Sequence, residues 1–191
     1  MVNKKNMNEL SLKEKLKKNN INFNGKILLM HKTGSTNTDA SFLAQKGEEA
    51  LIIADIQTNG RGRFDRTFIS DEGGLYFSLI VKTNKEPIEI MDYPIRVGRA
   101  VKKAIDELYG VDCEIKEPND VLLEKKKICG ILMESIPRDE ELYVITGVGL
   151  NVCNKLPACL PDAATLKQLT AKEIDKEDIL CGVVKEIIKI F

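Results

Sequence analysis

Between Asp112 and Val152 four β-type runs follow one another with only turn-length gaps: Asp112–Glu117, Val121–Glu124, Ile128–Ser135 and Leu142–Val152. That succession constrains the fold more than any other feature. Parallel neighbours need a long crossover, usually a helix, whereas gaps this short suit hairpins. Strict βαβ alternation therefore fails, and a doubly wound parallel sheet is the less favoured architecture. Further strands are expected at Lys26–Met30, Leu51–Gln57 and Leu75–Lys82, the last carrying Tyr76, Phe77, Ile80 and Val81.

Helical spacing appears in four places. Residues 8–18 read as a short polar helix anchored by Leu12 and Leu16. Asn37–Lys46 is the second helix; the turn Gly34-Ser35-Thr36-Asn37 offers its N-caps and Gly47 its stop. Between Ile90 and Tyr109, residues Val97, Val101, Ala104, Ile105 and Leu108 recur on one face, and Gly110 ends the run. A last helix near Lys176–Phe191 buries Ile179, Leu180, Val183, Ile187 and Phe191. The expected class is α+β: a large mixed or mostly antiparallel sheet with flanking helices.

Composition sets the bounds. The chain has 191 residues, 43% hydrophobic and 30% charged, which suits one domain with a substantial core. Lys+Arg and Asp+Glu are both 29, so bulk charge attracts neither nucleic acid nor an anionic membrane. Binding of anions has to come from local placement of charge. The five cysteines form no CxxC pair and His31 is the single histidine, which argues against a Cys/His zinc site. Reduced, mostly buried thiols in a cytoplasmic protein are expected. Met1–Asn8 has no apolar stretch of signal-peptide length, and no run approaches membrane-spanning length.

Three segments carry candidate chemistry. Gln57-Thr58-Asn59-Gly60-Arg61-Gly62-Arg63 combines two glycines, which let the backbone approach a ligand, with two arginines suited to phosphate or carboxylate oxygens. Arg66 follows. A solvated hairpin loop explains the same composition equally well. It is not a dinucleotide fingerprint, because Asp65 stands at the third glycine position and no helix follows at once. No Walker A sequence is present.

Lys116-Glu117-Pro118-Asn119-Asp120 is a turn between strands. It is either a plain charged hairpin or a cation and a hard oxygen ligand at one rim, with Asp120 suited to Mg²⁺. In Lys127-Ile128-Cys129-Gly130-Ile131-Leu132, a lysine tethered to a buried strand beside a glycine could neutralise a reacting carboxylate or phosphate. Gly147-Val148-Gly149 alone suggests only a glycine-containing buried strand.

Taken in order, these segments resemble biotin protein ligases, of the biotin/lipoate protein ligase superfamily. The resemblance runs through Thr33-Gly34-Ser35-Thr36-Asn37, Gly60-Arg61-Gly62-Arg63, Pro118-Asn119-Asp120, Lys127-Ile128-Cys129-Gly130-Ile131-Leu132 and Gly147-Val148-Gly149-Leu150-Asn151-Val152. It covers roughly residues 27–155, and no single motif in it is decisive. It implies a class II synthetase-like fold and ATP-dependent attachment of biotin, through biotinyl-5′-AMP, to a lysine of a biotin carboxyl carrier domain.

By the same resemblance Ser35, Thr36, Asn37 and Gln57 contact the biotin ureido ring. Gly60, Arg61, Gly62 and Arg63 fold over biotin and its adenylate. Lys127 lies between the biotin carboxylate and the α-phosphate. Gly130, Gly147 and Gly149 line the biotin slot. Arg63, Arg66, Phe68, Asn119, Asp120, Lys127 and Asn151 serve ATP, with Asp120 on Mg²⁺.

This sequence departs from the family pattern at Glu117, where an aromatic is usual. It departs again at Phe64-Asp65-Arg66-Thr67-Phe68, where a basic-glycine pattern and a tryptophan are usual; with no tryptophan in the chain, Phe68 is the candidate for stacking. Residues 1–191 are expected to form one catalytic domain, without an N-terminal winged helix or a C-terminal β-barrel. A homodimer through an exposed sheet edge is compatible with the sequence. The rival readings are a lipoate or octanoate transferase of the same fold and a non-catalytic biotin-binding or carrier-docking module.

Overall fold

The computed structural model describes residues 7–64 and 66–191; residues 1–6 and Asp65 lie outside it, so the Met1–Asn8 reading falls largely beyond the described residues. The elements in chain order are α1 (Glu9–Lys18), β1 (Lys26–Thr33), α2 (Thr36–Gln45), β2 (Ala50–Gln57), β3 (Leu75–Thr83), a 3₁₀ turn (Pro87–Ile90), α3 (Tyr93–Tyr109), β4 (Glu114–Lys116), β5 (Asp120–Leu123), β6 (Lys126–Arg138), β7 (Glu141–Leu150), α4 (Leu166–Thr170) and α5 (Lys176–Ile188). The seven strands form one sheet in the order β1-β2-β3-β7-β6-β5-β4. Only β1 and β2 pair in parallel, across α2. The remaining pairs are antiparallel, so the mixed, mostly antiparallel α+β architecture is the one observed.

Strand alternation divides the sheet into two unlike faces. On one face Leu51, Ile53, Phe77, Leu79, Ile131, Val148 and Leu150 pack under Val97, Val101 and Ile105 of α3 and Ile179, Leu180, Val183 and Ile187 of α5. Helix α1 joins this layer through Leu12 and Leu16. On the other face Ala40 and Ala44 of α2 meet Ile52, Ile80, Tyr143 and Ile145. A helix of ten residues is roughly 15 Å long, so it covers only part of a seven-stranded face. The uncovered part carries Gly130, Gly147 and Gly149.

The structure departs from the expected elements in detail. β1 runs on to Thr33 and so delivers the chain directly to the α2 turn. Helix α4 was not foreseen; Thr165 and Gln168 form a reciprocal capping box at its start, a signal present in the sequence. α5 stops at Ile188, yet Phe191 still packs edge-on against Tyr93 at 5.1 Å. Gly110 ends α3 with φ of 62°, the left-handed conformation glycine adopts without a Cβ clash.

All five cysteines are free; Cys113, Cys129 and Cys181 are buried while Cys153 and Cys159 are exposed. Burial pushes the Cys129 thiol up to about 12 and the Cys181 thiol up to about 11, and raises Cys113 as well. No helix among the described residues is long and apolar enough to cross a membrane.

Two outcomes follow. At about pH 8 iodoacetamide should modify Cys153 and Cys159 first, with Cys113, Cys129 and Cys181 reacting only after unfolding, read by peptide mass spectrometry. Ile105, with no exposed surface, fills the α3 interface, so Ile105→Ala should cost about 2–5 kcal/mol, seen as a lower urea midpoint at unchanged slope.

Candidate functional site

The uncovered glycine strip is the floor of a cavity of about 340 Å³. Gly130 and Gly149 are register partners across β6 and β7, and Gly147 is partnered by Leu132 and Ser78. Side chains at these positions would collide with what lies above. A Cβ on Gly149 would come within 2.6 Å of the Phe68 ring, and one on Gly147 within 2.1 Å of Asn37 Oδ1. Phe68 therefore lies directly on the glycine floor, edge-on to Tyr76 with ring centroids 6.4 Å apart.

One end of the cavity is the start of α2. Ser35 occupies the N-cap position without capping, and its hydroxyl has no partner among the described residues. Gln57, at the end of β2, does the capping from outside. Its Oε1 accepts from the Thr36 N–H at 2.9 Å and from the Thr36 hydroxyl at 3.1 Å. Gln57 Nε2 then donates to Ser70 Oγ at 2.8 Å. Asn37 donates from Nδ2 to Glu134 Oε2 at 2.7 Å and accepts from the Ser78 hydroxyl at 2.7 Å. These side chains are thus fixed by each other, and Ser35 alone offers an uncommitted hydroxyl.

The roof is the segment between β2 and β3. The isolated bridges Gln57–Ser70 and Arg61–Thr67 give it a narrow, doubled-back shape, with Phe68 N–H donating to Gly60 O at 2.8 Å. Arg61, Arg63 and Arg66 all line the cavity. Arg61 Nη2 contacts Glu134 at 3.1 Å, and Arg63 stacks on Phe64 at 4.9 Å. The far end of the segment is tied by Tyr76, whose hydroxyl donates to Asp71 O at 2.8 Å. Burial raises the Tyr76 phenol, which keeps it a donor.

The other end is built by the β4–β5 turn and the start of β6. Lys116, Glu117, Asn119, Asp120 and Lys127 line it. Asn119 is clamped to β6: its Nδ2 donates to Ile131 O and its carbonyl accepts from Ile131 N–H, both at 2.9 Å. Lys127 Nζ lies 2.7 Å from Asp120 Oδ1, an ion pair angled off a directed hydrogen bond. The lysine backbone is held by a later part of the chain. Its N–H donates to Asp162 O at 2.7 Å and its carbonyl accepts from Ala164 N–H at 3.0 Å.

Among the described residues the cavity therefore collects five cationic side chains, Arg61, Arg63, Arg66, Lys116 and Lys127, against the carboxylates Glu117 and Asp120. In a chain of zero net charge this is a local positive excess, the arrangement that attracts anionic reactants.

The sequence-derived candidates sort as follows. Ser35, Thr36, Asn37, Gln57, Gly62, Phe68, Asn119, Asp120, Gly130, Gly147 and Gly149 converge on the cavity with Arg61, Arg63, Arg66 and Lys127. Gly60 and Asn151 do not line it. Gly60 packs under the Phe68 carbonyl, 2.4 Å from where its Cβ would be. Asn151 is buried, accepts from Asn154 Nδ2 at 3.2 Å, and its backbone holds Ile128 and Leu166.

Sequence reasoning missed Ser78 and Glu134. Ser78 was detectable as the lone small polar residue inside the apolar run Leu75–Val81. Glu134 had no local signal, since an acidic residue late in a strand ordinarily faces solvent. No group of three or more His, Cys, Asp or Glu among the described residues could hold a metal ion.

Comparison with known proteins decides the family. A profile described as the biotin/lipoate A/B protein ligase family matches residues 29–151. The chain belongs to that family. The biotin protein ligase from Aquifex aeolicus solved with biotin and ATP superposes with a TM-score of 0.73 at 32% identity, covering 87% of this chain and 70% of that one. The bifunctional ligase/repressor BirA of Bacillus subtilis is 35% identical over 177 residues, 87% of this chain and 53% of its own length. The biotin–[acetyl-CoA-carboxylase] ligase of Mycobacterium tuberculosis is 31% identical over 163 residues, 81% of this chain and 60% of its own. The chain spans about half the length of the curated relatives it matches.

The glycine floor of this family member can be tested without any ligand. Gly147→Ala pushes into the Asn37 amide and the Leu132 carbonyl, so it should cost about 1–3 kcal/mol in urea unfolding. Gly34→Ala, with nothing within 4 Å of the added carbon, should change stability by less than about 0.5 kcal/mol.

Proposed function

We propose that this chain performs biotin protein ligase chemistry: it condenses biotin with ATP and transfers the biotinyl group to a lysine of a biotin carboxyl carrier domain. The observation that carries the reading is the convergence of five cationic side chains on one glycine-floored cavity. Family membership and the ligase activities of the Aquifex and Mycobacterium relatives support it.

Adenylation brings together two anions, a carboxylate and a triphosphate. Their repulsion is the barrier that the site has to lower. The reading assigns Arg61, Arg63 and Lys127 to the carboxylate and α-phosphate. A biotin carboxylate oxygen attacks the α-phosphorus, the bond to the bridging oxygen breaks, and pyrophosphate leaves with the electron pair. Permanently charged arginines serve this step without any proton transfer.

The reading gives Ser35 a hydrogen bond to the ureido ring, with Thr36, Asn37 and Gln57 shaping that end, and gives Gly130, Gly147 and Gly149 the flat biotin slot. Gly60 and Gly62 let the roof approach closely. Arg66, Phe68 and Asn119 go to the nucleotide side, and Asn151 serves it only by anchoring the segment that carries Leu166.

ATP is expected as its Mg²⁺ complex. Asp120 fits that role as a hard oxygen donor whose buried Oδ1 has no directed hydrogen bond. No group of three or more His, Cys, Asp or Glu among the described residues could hold a metal ion, so phosphate oxygens and water would supply the rest of the coordination.

The adenylate is a mixed anhydride and is lost to water unless covered. The Gly60–Arg63 roof, which already rests on the floor through Phe68, suits that task. In the second step the neutral ε-amine of the carrier lysine attacks the acyl carbonyl, AMP departs, and the nitrogen sheds its proton. The nucleophile arrives with the partner, so no Ser/His/Asp triad is needed. His31, the only histidine, is exposed beside Asp55 rather than in the cavity.

The test is ATP–pyrophosphate exchange driven by biotin, with lipoate in parallel, followed by mass analysis of a carrier domain incubated with the protein, biotin, ATP and Mg²⁺. Biotin-dependent exchange and carrier modification are expected. Exchange driven by lipoate alone would overturn the substrate, and binding of biotin without exchange would leave a non-catalytic module. Lys127→Ala should slow exchange about 100-fold or more while the unfolding midpoint stays near that of the parent; an unchanged rate would remove Lys127 from its role.

A further inference from the structure

Glu134 has no role in the chemistry described above. It stands on β6 four residues beyond Gly130, on the same face of the sheet, just outside the cavity lining. Its carboxylate joins two elements that are far apart in sequence. Oε2 accepts from Asn37 Nδ2 at 2.7 Å, in the first turn of α2. Oε1 and Oε2 lie 3.1 and 3.3 Å from a single nitrogen, Nη2 of Arg61 in the roof. The remaining guanidinium nitrogens have no partner among the described residues, and Arg61 lines the cavity.

The roof is tethered at its other end too. Ser70 accepts from Gln57, Gln57 caps Thr36, and Ser78 links Thr36 with Asn37, whose amide returns to Glu134. Both ends of the roof thus lead to the same helix start. Of the two, the Glu134–Arg61 end is the one that carries charge, and it holds a cationic side chain that lines the cavity.

We infer that Glu134 is a positioning residue: it latches the Gly60–Arg63 roof over the cavity by holding one nitrogen of Arg61, leaving the other donors free for the anionic ligand. An arginine on a glycine-flanked loop loses much rotamer freedom when ordered, and a fixed partner removes part of that cost before the ligand arrives. The side chains of Arg61 and Glu134 remain 42% and 31% exposed. A pair so open to water adds little to global stability, so its effect is local, on where the guanidinium points. The role of Arg61 in this inference rests on the proposed ligase reading; the latch itself does not.

The experiment compares Glu134→Ala, Glu134→Gln, Arg61→Ala and the Glu134→Ala/Arg61→Ala double variant. First, trypsin is applied briefly to the ligand-free proteins, and cleavage after Arg63 and Arg66 is measured by mass spectrometry against cleavage after the exposed Lys17 and Lys18. Glu134→Ala and Arg61→Ala should each speed roof cleavage about fivefold or more, with the double variant no faster than either single one. Glu134→Gln, which keeps an acceptor, should fall between. Second, in biotin-dependent exchange, Glu134→Ala should raise KM for biotin about tenfold with KM for ATP within about twofold. Unchanged roof cleavage in Glu134→Ala, or effects that multiply in the double variant, would overturn the latch whether or not the protein uses biotin. Faster cleavage with an unmoved biotin KM would overturn the positioning role. A parent protein that shows Glu134-dependent roof protection but no biotin-driven exchange keeps the latch and sinks the ligase assignment.

Discussion

A sheet can accept an arginine-rich roof only where its own side chains stand aside. Gly130 faces Gly149 across β6 and β7, and Gly147 lies one step along the same face. This strip of bare backbone leaves room for Phe68 and Asn37 above it, in the cavity that Arg61 and Lys127 both line. The opposite face packs a layer of Val, Leu and Ile under α3 and α5, which backs the strip with the main core. One face supplies cohesion and the other supplies room; because side chains alternate along each strand, every residue has to be committed to one or the other.

Much of this was legible in the sequence. The closely spaced β runs after Asp112 made a doubly wound sheet the less favoured architecture, and the mostly antiparallel strand pairing bears that out. The Gly60–Arg63 loop, the Pro118-Asn119-Asp120 turn, Lys127 and the paired glycines were visible as separate motifs, and folding brings them to one cavity. Composition alone could not tell this from scattered surface arginines, because convergence is a property of register. What remained illegible depends on partners distant in sequence. Glu134 looks like any polar strand residue until Arg61 and Asn37 are beside it. Gln57, which the resemblance implies as a ligand contact, lines the cavity, and nothing in the sequence signalled that its side chain also caps a helix beginning at the neighbouring strand's exit.

The polar circuit around α2 illustrates how a cavity wall can be made stiff without burying charge. Gln57, Thr36, Ser78 and Asn37 are linked to one another and, through Ser70 and Glu134, to the roof and β6, which limits their freedom to reorient. Buried polar groups are costly when half satisfied and specifying when complete. Here Ser35 stands apart: among the described residues its hydroxyl has no partner, so that end of the cavity presents one uncommitted hydroxyl.

Lys127 is held in place by main-chain atoms of Asp162 and Ala164, which add a short parallel bridge beside it. Those residues lie past the stretch the family profile recognises. Hydrogen bonds between peptide groups are indifferent to side-chain identity. The buttress behind the ammonium can therefore drift in sequence while keeping its shape, and a relative whose similarity fades after Asn151 can retain the same support in a form that only coordinates reveal.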